Sequence, residues 1–290
     1  MNTEALFYEK IQDVKSVKCN LCPHFCTIKP GQTGTCKVRK NHDGILQSEN
    51  YFRISSMALD PIEKKPLYHF YPGSKILSLG SVGCNLKCPF CQNHEISMCS
   101  IEYDNTVLMT PESIIEKAID LRKVGNIGIA YTYNEPTVWI ETVLETARLA
   151  KKNNLKNVMV TNGYINPEPL AVLLPLIDAM NIDLKSFDDG FYSYYLKGGL
   201  QAVKDTITKS HEYCHIEITT LIIPGFNDSR EEMREISKFI SNISPEIPLH
   251  LSRFFPRYKW SEVPQTTTES LYELAFEAGK FLSNVHIGNI

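Results

Sequence analysis

Residues 127–185 read IGIAYTYNEPTVWIETVLETARLAKKNNLKNVMVTNGYINPEPLAVLLPLIDAMNIDLK. Three short apolar runs, at 127–131, 157–160 and 179–184, alternate with two stretches of helical periodicity, at 136–152 and 167–176. Both helical stretches begin with a proline, which is well placed in a first turn because its missing N–H has no partner there anyway. Strands alternating with helices at this spacing imply a parallel sheet with crossover helices.

The same rhythm continues outward. A buried strand is expected at 76–79 and an amphipathic helix at 111–124 with Thr110 as its N-cap. Further on come a helical stretch at 190–212, a strongly β-branched strand at 215–223, a helix at 229–241, a strand at 249–252, a helix at 268–283 and a last strand at 284–287. The expected fold class is α/β: a partial or complete parallel (β/α) barrel of about six units, with a doubly wound sheet as the alternative. The expected division is a Cys-rich metal-binding module at 1–45, a polar-aromatic connector at 46–75, and the barrel at 76–290.

In such folds the chemistry collects on loops at the carboxyl ends of the strands. Unusual polar residues stand at those places: Cys84, Cys88 and Cys91 after the first strand, Asn134 and Glu135 after the second, Thr161 and Asn162 after the third. Asp183 and Lys185 end the fourth, Asn227 and Asp228 follow the fifth, and Arg253 ends the sixth.

The run Gly83-Cys84-Asn85-Leu86-Lys87-Cys88-Pro89-Phe90-Cys91 is the strongest single signal. Three thiolates at CxxxCxxC spacing can wrap one face of an iron–sulfur cubane. Four irons on three thiolates leave one iron open to a small ligand. The competing reading is a zinc site that borrows His94 or Cys99, but structural zinc sites usually show two paired arms. A second group, Cys19, Cys22, Cys26 and Cys36, offers four thiolates, which suits either a zinc ion or a second [4Fe–4S] cluster. Cys99 and Cys214 read as buried thiols.

Composition narrows the function classes. A net charge of −3 leaves no broad electrostatic footprint for nucleic acid. No apolar run has the ~18 residues of a membrane span, and the acidic start lacks a cationic region followed by an apolar one. A cytoplasmic, reducing location is therefore expected, where close cysteines are metal ligands rather than disulfides.

The motif CxxxCxxC, with aromatic Phe90 before its last cysteine, resembles the signature of the radical S-adenosylmethionine (SAM) superfamily. The strings DPIEKKPLYHFYPGS, YTYNEP, VTNGYI, NIDLKSF, TTLIIPGFNDS and HLSRFFPRYKW extend the resemblance over residues 60–260, toward pyruvate formate-lyase-activating enzymes. With CNLCPHFC at the N-terminus, the chain resembles most closely the AmmeMemoRadiSam-type radical SAM enzymes. Those commonly continue into a Cys-containing tail beyond the position of Ile290.

The resemblance implies roles. Cys84, Cys88 and Cys91 would ligate a [4Fe–4S] cluster, with Phe90 and Asn93 beside the adenosine. Tyr133, Asn134 and Glu135 stand where the family has a Gly-Gly-Glu-Pro-like run that receives the methionine ammonium. Thr161 and Asn162 would meet the methionine carboxylate and ribose. Lys185 would meet the carboxylate, Asp183 a ribose hydroxyl or a monovalent cation, and Ile223 the adenine. His250 and Arg253 are substrate-side candidates, although a buried histidine with its hydrogen bonds satisfied is an equally good reading of His250.

The implied activity is reductive cleavage of SAM to a 5′-deoxyadenosyl radical that abstracts hydrogen from a substrate, either a glycine of a partner enzyme, or a small molecule or non-glycyl protein site. A low-potential donor such as flavodoxin or ferredoxin would supply the electron. The alternative from another class is a non-enzymatic Fe–S or zinc electron carrier or scaffold, which accounts for both cysteine groups but gives Glu135, Asn162 and Lys185 no role.

Overall fold

The computed structural model describes residues 3–11, 15–101 and 105–290. Its centre is an eight-stranded sheet: β1 (Ser56–Pro61), β2 (Lys75–Gly80), β3 (Asn126–Tyr131), β4 (Lys156–Thr161), β5 (Ala179–Asp183), β6 (His215–Ile222), β7 (Leu249–Arg253) and β8 (Val285–Gly288). The order in space is the order in sequence. Every neighbouring pair from β2 to β8 is parallel, and only β1 runs antiparallel, against β2. The fold is therefore α/β with a large, mostly parallel sheet. Among the described residues the edge strands β1 and β8 are not bonded to each other. The sheet nevertheless curls far enough that Asp60 on β1 and Gly288 on β8 line one cavity.

The crossovers are α1 (Pro111–Asp120), α2 (Ile140–Lys152), α3 (Pro167–Leu173), α4 (Leu200–His211), α5 (Arg230–Ile243) and α6 (Thr268–Ala278). Their starts follow local chemistry. Thr110 accepts from the Ser113 N–H in a reciprocal capping box, and Ser229 and Thr267 accept from the N–H groups three residues on. One apolar stripe of each helix is buried, as with Met233, Ile236 and Ile240 of α5. The single helix expected over 190–212 is broken. Lys197 turns left-handed and the chain runs through Gly198, where a Cβ would lie 2.4 Å from the Leu86 side chain. The break lets this backbone press onto the Cys84–Cys91 loop.

Two segments differ from expectation. The connector supplies β1, and beyond it Ile62 and Leu67 pack in a small core with Ala130, Val158 and Ala179. Glu217 of β6 anchors this strap: its carboxylate accepts from the N–H groups of Tyr68 (3.0 Å) and His69 (2.8 Å). It also pairs with His215 and His250. Burial alone would raise the Glu217 pKa, but the hydrogen bonds from the two histidines and the two amides outweigh it and hold the carboxyl well below the usual carboxylate range. The Cys-rich segment contributes strands of its own. It forms two small antiparallel sheets, Thr3–Glu4 with Ile45–Ser48 and Arg39–His42, and Tyr8–Lys10 with Val17–Cys19 and Thr27–Ile28. Val17, Leu21, Ile28, Val38 and Leu46 are buried in the same continuous core as the large sheet. A buried ion pair, Arg39 with Glu141 at 2.9 Å, ties the segment to α2.

Candidate functional site

One cavity of about 810 Å³ opens at the carboxyl ends of the strands, within the size range of small-molecule and cofactor sites. Its wall includes Cys84, Cys88, Phe90, Cys91, Asn93, Tyr133, Asn134, Glu135, Thr161, Asn162, Asp183, Lys185 and His250. Loops far apart in sequence thus converge on one space. Two expected residues are not on the wall. Ile223 is fully buried just past the end of β6, with its N–H bound to the Asn227 side chain; within the strand Leu221 and Thr219, two and four positions earlier, face the cavity. Arg253 donates from Nε to the Thr266 carbonyl and lies over the Phe255 ring, while its neighbour Ser252 lines the wall.

Cys84, Cys88 and Cys91 sit on the loop after β2. That loop is clamped from several sides. The Asn134 side chain accepts from the Ser81 N–H (2.9 Å) and donates to the Gly83 carbonyl (2.9 Å). Both ends of Asn134 are thus used to hold the cysteine loop. Asn162 donates to the Asn85 side chain (2.9 Å) and toward the Cys84 sulfur (3.7 Å). Gly83 has φ +88°, and a Cβ there would lie 2.7 Å from the Cys36 carbonyl, so only glycine fits this close approach. Phe90 packs against Trp260 (5.3 Å between centroids), and the Lys259 N–H donates to the Pro89 carbonyl.

Glu135 is buried, and its carboxylate is largely occupied. One oxygen accepts from the Thr137 N–H (2.9 Å) and the Thr161 hydroxyl (2.8 Å), the other from the Asn162 N–H (2.8 Å). An ionised carboxylate has about four acceptor positions, so one remains on the side of the cavity. Burial raises the Glu135 pKa, and the hydrogen bonds from Asn162, Thr137 and Thr161 oppose the rise. Tyr133 takes the left-handed conformation (φ +67°), which glycine would adopt without strain. Its hydroxyl donates to Asp60 (2.7 Å), and the Lys65 ammonium lies 4.7 Å from the ring centroid. Those contacts offset the backbone strain of about 1–2 kcal/mol, and they account for a tyrosine where a glycine is expected.

Lys185 and Asp183 are paired at 2.7 Å across the cavity floor. Burial alone would lower the Lys185 pKa, but the charge and hydrogen bond of Asp183 more than compensate, so the ammonium is held protonated. Asn93 donates to the Tyr133 carbonyl (2.7 Å). His250 contacts Glu217 at 2.6 Å and is the one expected substrate-side residue that reaches the wall.

Burial pushes the Cys88 thiol up to about 12, raises Cys91, and raises Cys84 well above the ordinary thiol value. Left alone, these thiols keep their protons. A cationic iron centre is what would displace them, because metal ligands must be deprotonated. Three such thiols on the wall of a roomy polar cavity fit a cluster with one side facing a ligand. Sequence reading missed Asp60, Lys65 and Tyr68, which also line the cavity. Their string was visible, but a connector carries no periodic signal that would place it on a wall.

A curled, mostly parallel α/β sheet with a three-cysteine loop after its first parallel strand defines the class. The Radical SAM superfamily model matches residues 79–240, and the chain belongs to that superfamily. Its cofactors are accordingly a [4Fe–4S] cluster and SAM. The protein MJ0808 of Methanocaldococcus jannaschii is 44% identical over 99% of this chain and 85% of its own length. The 4-hydroxyphenylacetate decarboxylase activating enzyme of Clostridium scatologenes is 24% identical over 69% of this chain and 64% of its own length. The fold is shared with a radical SAM methyltransferase from Sphaerobacter thermophilus (TM-score 0.59, 12% identity, 99% of this chain and 76% of that one). It is also shared with Streptococcus suis SuiB bound to SAM (TM-score 0.56, 13% identity, 71% of this chain and 47% of that one). Among the described residues no helix is long and apolar enough to cross a membrane.

Proposed function

We propose that this chain is a radical SAM enzyme built on a partial (β/α) barrel, with Cys84, Cys88 and Cys91 as the cluster ligands. The carrying observation is that these thiols share one cavity wall with Glu135, Asn162, Asp183 and Lys185, contributed by different loops. When bound and reduced, the cluster supplies the electron that splits SAM into methionine and a 5′-deoxyadenosyl radical.

The chain's own residues orient and enclose. The remaining acceptor position of Glu135 receives the methionine ammonium by a charge-assisted hydrogen bond. Lys185, held protonated, meets the methionine carboxylate, and Asp183 meets a ribose hydroxyl. Thr161 and Asn162 fix Glu135 and the Cys84 loop to each other, so ligand and cluster sites move as one. Phe90, set against Trp260, screens the cluster side from water.

For the substrate, the activating-enzyme relative supports action on a partner enzyme, for which the resemblance implies hydrogen abstraction from a glycine and a flavodoxin- or ferredoxin-type electron donor. A second reading, chemistry on a small molecule, draws on Asp60, Lys65 and Tyr68, which give the cavity polar handles beyond those a SAM site uses. The test is anaerobic reconstitution followed by SAM and dithionite. The full chain is expected to form 5′-deoxyadenosine, and Cys88→Ala to form none. No product from fully reconstituted wild type overturns the proposal. A glycyl-radical EPR doublet on an added partner would separate the two substrate readings.

A further inference from the structure

Cys19 at the end of the Val17–Cys19 strand, Cys22 and Cys26 in the loop after it, and Cys36 in a later turn line a second cavity of about 10 Å³, with Leu21, Ile28, Arg39 and Val138. That volume is the space open to the centre of a water-sized sphere of about 1.4 Å radius, so the void itself is wider than one such sphere. A tetrahedral zinc holds each sulfur about 2.3 Å from its centre, which leaves no space for such a sphere once sulfur's own radius is counted. The void among the four cysteines is therefore wider than a single zinc ion needs.

A second observation points into the same cavity. Arg39 is 1% exposed and lines the cavity, yet its Nε–H has no partner among the described residues. Its other nitrogens are occupied by Glu141 and the Leu6 carbonyl. A buried, unpaired donor is costly, by about 1–3 kcal/mol. A sulfur-rich anionic group among the four cysteines would accept that hydrogen, and hydrogen bonds to sulfur are one of the levers that set a cluster's potential.

The two cysteine sites also touch. The His24 ring, on the wall of the second cavity, hydrogen-bonds the Asn85 carbonyl at 2.7 Å. Gly83, next to Cys84, packs directly on the Cys36 carbonyl.

From this geometry we infer that Cys19, Cys22, Cys26 and Cys36 hold a second [4Fe–4S] cluster, in electronic contact with the cluster at Cys84, Cys88 and Cys91. A low-potential one-electron donor reduces the second cluster by one electron. That electron passes to the first cluster and the second returns to its oxidised state; no bond or proton moves. The contact with the first cluster rests on the function proposed above, but occupancy of the second site does not.

The test uses the full chain, reconstituted anaerobically with iron and sulfide in the presence of zinc. Wild type is expected to bind about eight irons and no stoichiometric zinc. A variant with Cys84→Ala, Cys88→Ala and Cys91→Ala is expected to keep about four. This arm reads the second site even if SAM cleavage is never seen. The EPR spectrum of dithionite-reduced wild type should show spin coupling absent from that variant and from Cys22→Ser/Cys26→Ser. About four irons with one zinc in wild type overturns the assignment without any variant having to fold. A wild-type spectrum equal to the sum of the two single-site spectra overturns the electronic contact.

Discussion

Glu135→Gln is the most direct probe of the cavity, because the substitution keeps shape and removes charge. Three hydrogen bonds of 2.8–2.9 Å now end on the carboxylate. The glutamine oxygen can keep the two from Thr137 and Thr161, but its NH₂ then faces the Asn162 N–H, donor against donor. The lost charge-assisted bond is worth about 1.5–3 kcal/mol, and the stranded Asn162 N–H costs about 1–3 kcal/mol more. The same charge is the proposed anchor for the methionine ammonium, so a further bond of about 1.5–3 kcal/mol disappears on SAM binding. That corresponds to SAM affinity weaker by roughly 10- to 150-fold. The assay is anaerobic equilibrium binding of SAM to protein of matched iron content. The control is Thr161→Val, which deletes one support of Glu135 but leaves its charge; it should weaken binding by less than about tenfold. Glu135→Gln binding within threefold of wild type at equal cluster content refutes the assignment of the ammonium to Glu135.

Three further outcomes follow from the fold. Glu217→Gln should lower the melting temperature and expose the 62–73 strap to protease, since two strap amides and two histidines converge on that buried carboxylate. Because the folded Glu217 pKa is depressed, its stabilisation is complete above the unfolded value of about 4.3 and is lost as pH falls through the folded one. The melting-temperature gap between wild type and variant should therefore shrink on acidification; a gap that widens contradicts the assignment. Gly83→Ala must place a Cβ 2.7 Å from the Cys36 carbonyl at a φ of +88°, and iron uptake at both cysteine sites should fall, as iron and sulfide counts would show. Arg39→Met leaves the buried Glu141 charge without its counter-ion, held only by the Leu6 N–H among the described residues, which costs about 3–5 kcal/mol, whereas Arg39→Met with Glu141→Leu should recover most of it in thermal unfolding of the unreconstituted chain.

The strand–helix rhythm from residue 75 onward was legible because both elements announce themselves by local periodicity. The seven parallel strands stand within a few residues of the runs where strands are expected. The exception, the helix expected over 190–212, broke for a tertiary reason: the Gly198 backbone is needed against Leu86, a contact of residues more than a hundred positions apart. Ile223 lies off the wall because it stands just past the end of β6, where its N–H is bound by the Asn227 side chain, while Thr219 and Leu221 within the strand face the cavity. Asn134 stands on the expected wall, but its hydrogen-bonding capacity is spent on the cysteine loop.

By itself the sequence determined the α/β class, the cluster motif and the identity of most of the wall. Those depend on spacing along the chain, and spacing is what a sequence records. Only the tertiary structure decided how far the sheet curls, that the 56–73 segment is an edge strand and a strap on Glu217, and that the Cys36 turn rests on Gly83. Each of these is a meeting of residues remote in sequence, settled by close packing and by the need to satisfy buried polar groups, and neither leaves a periodic mark on the chain.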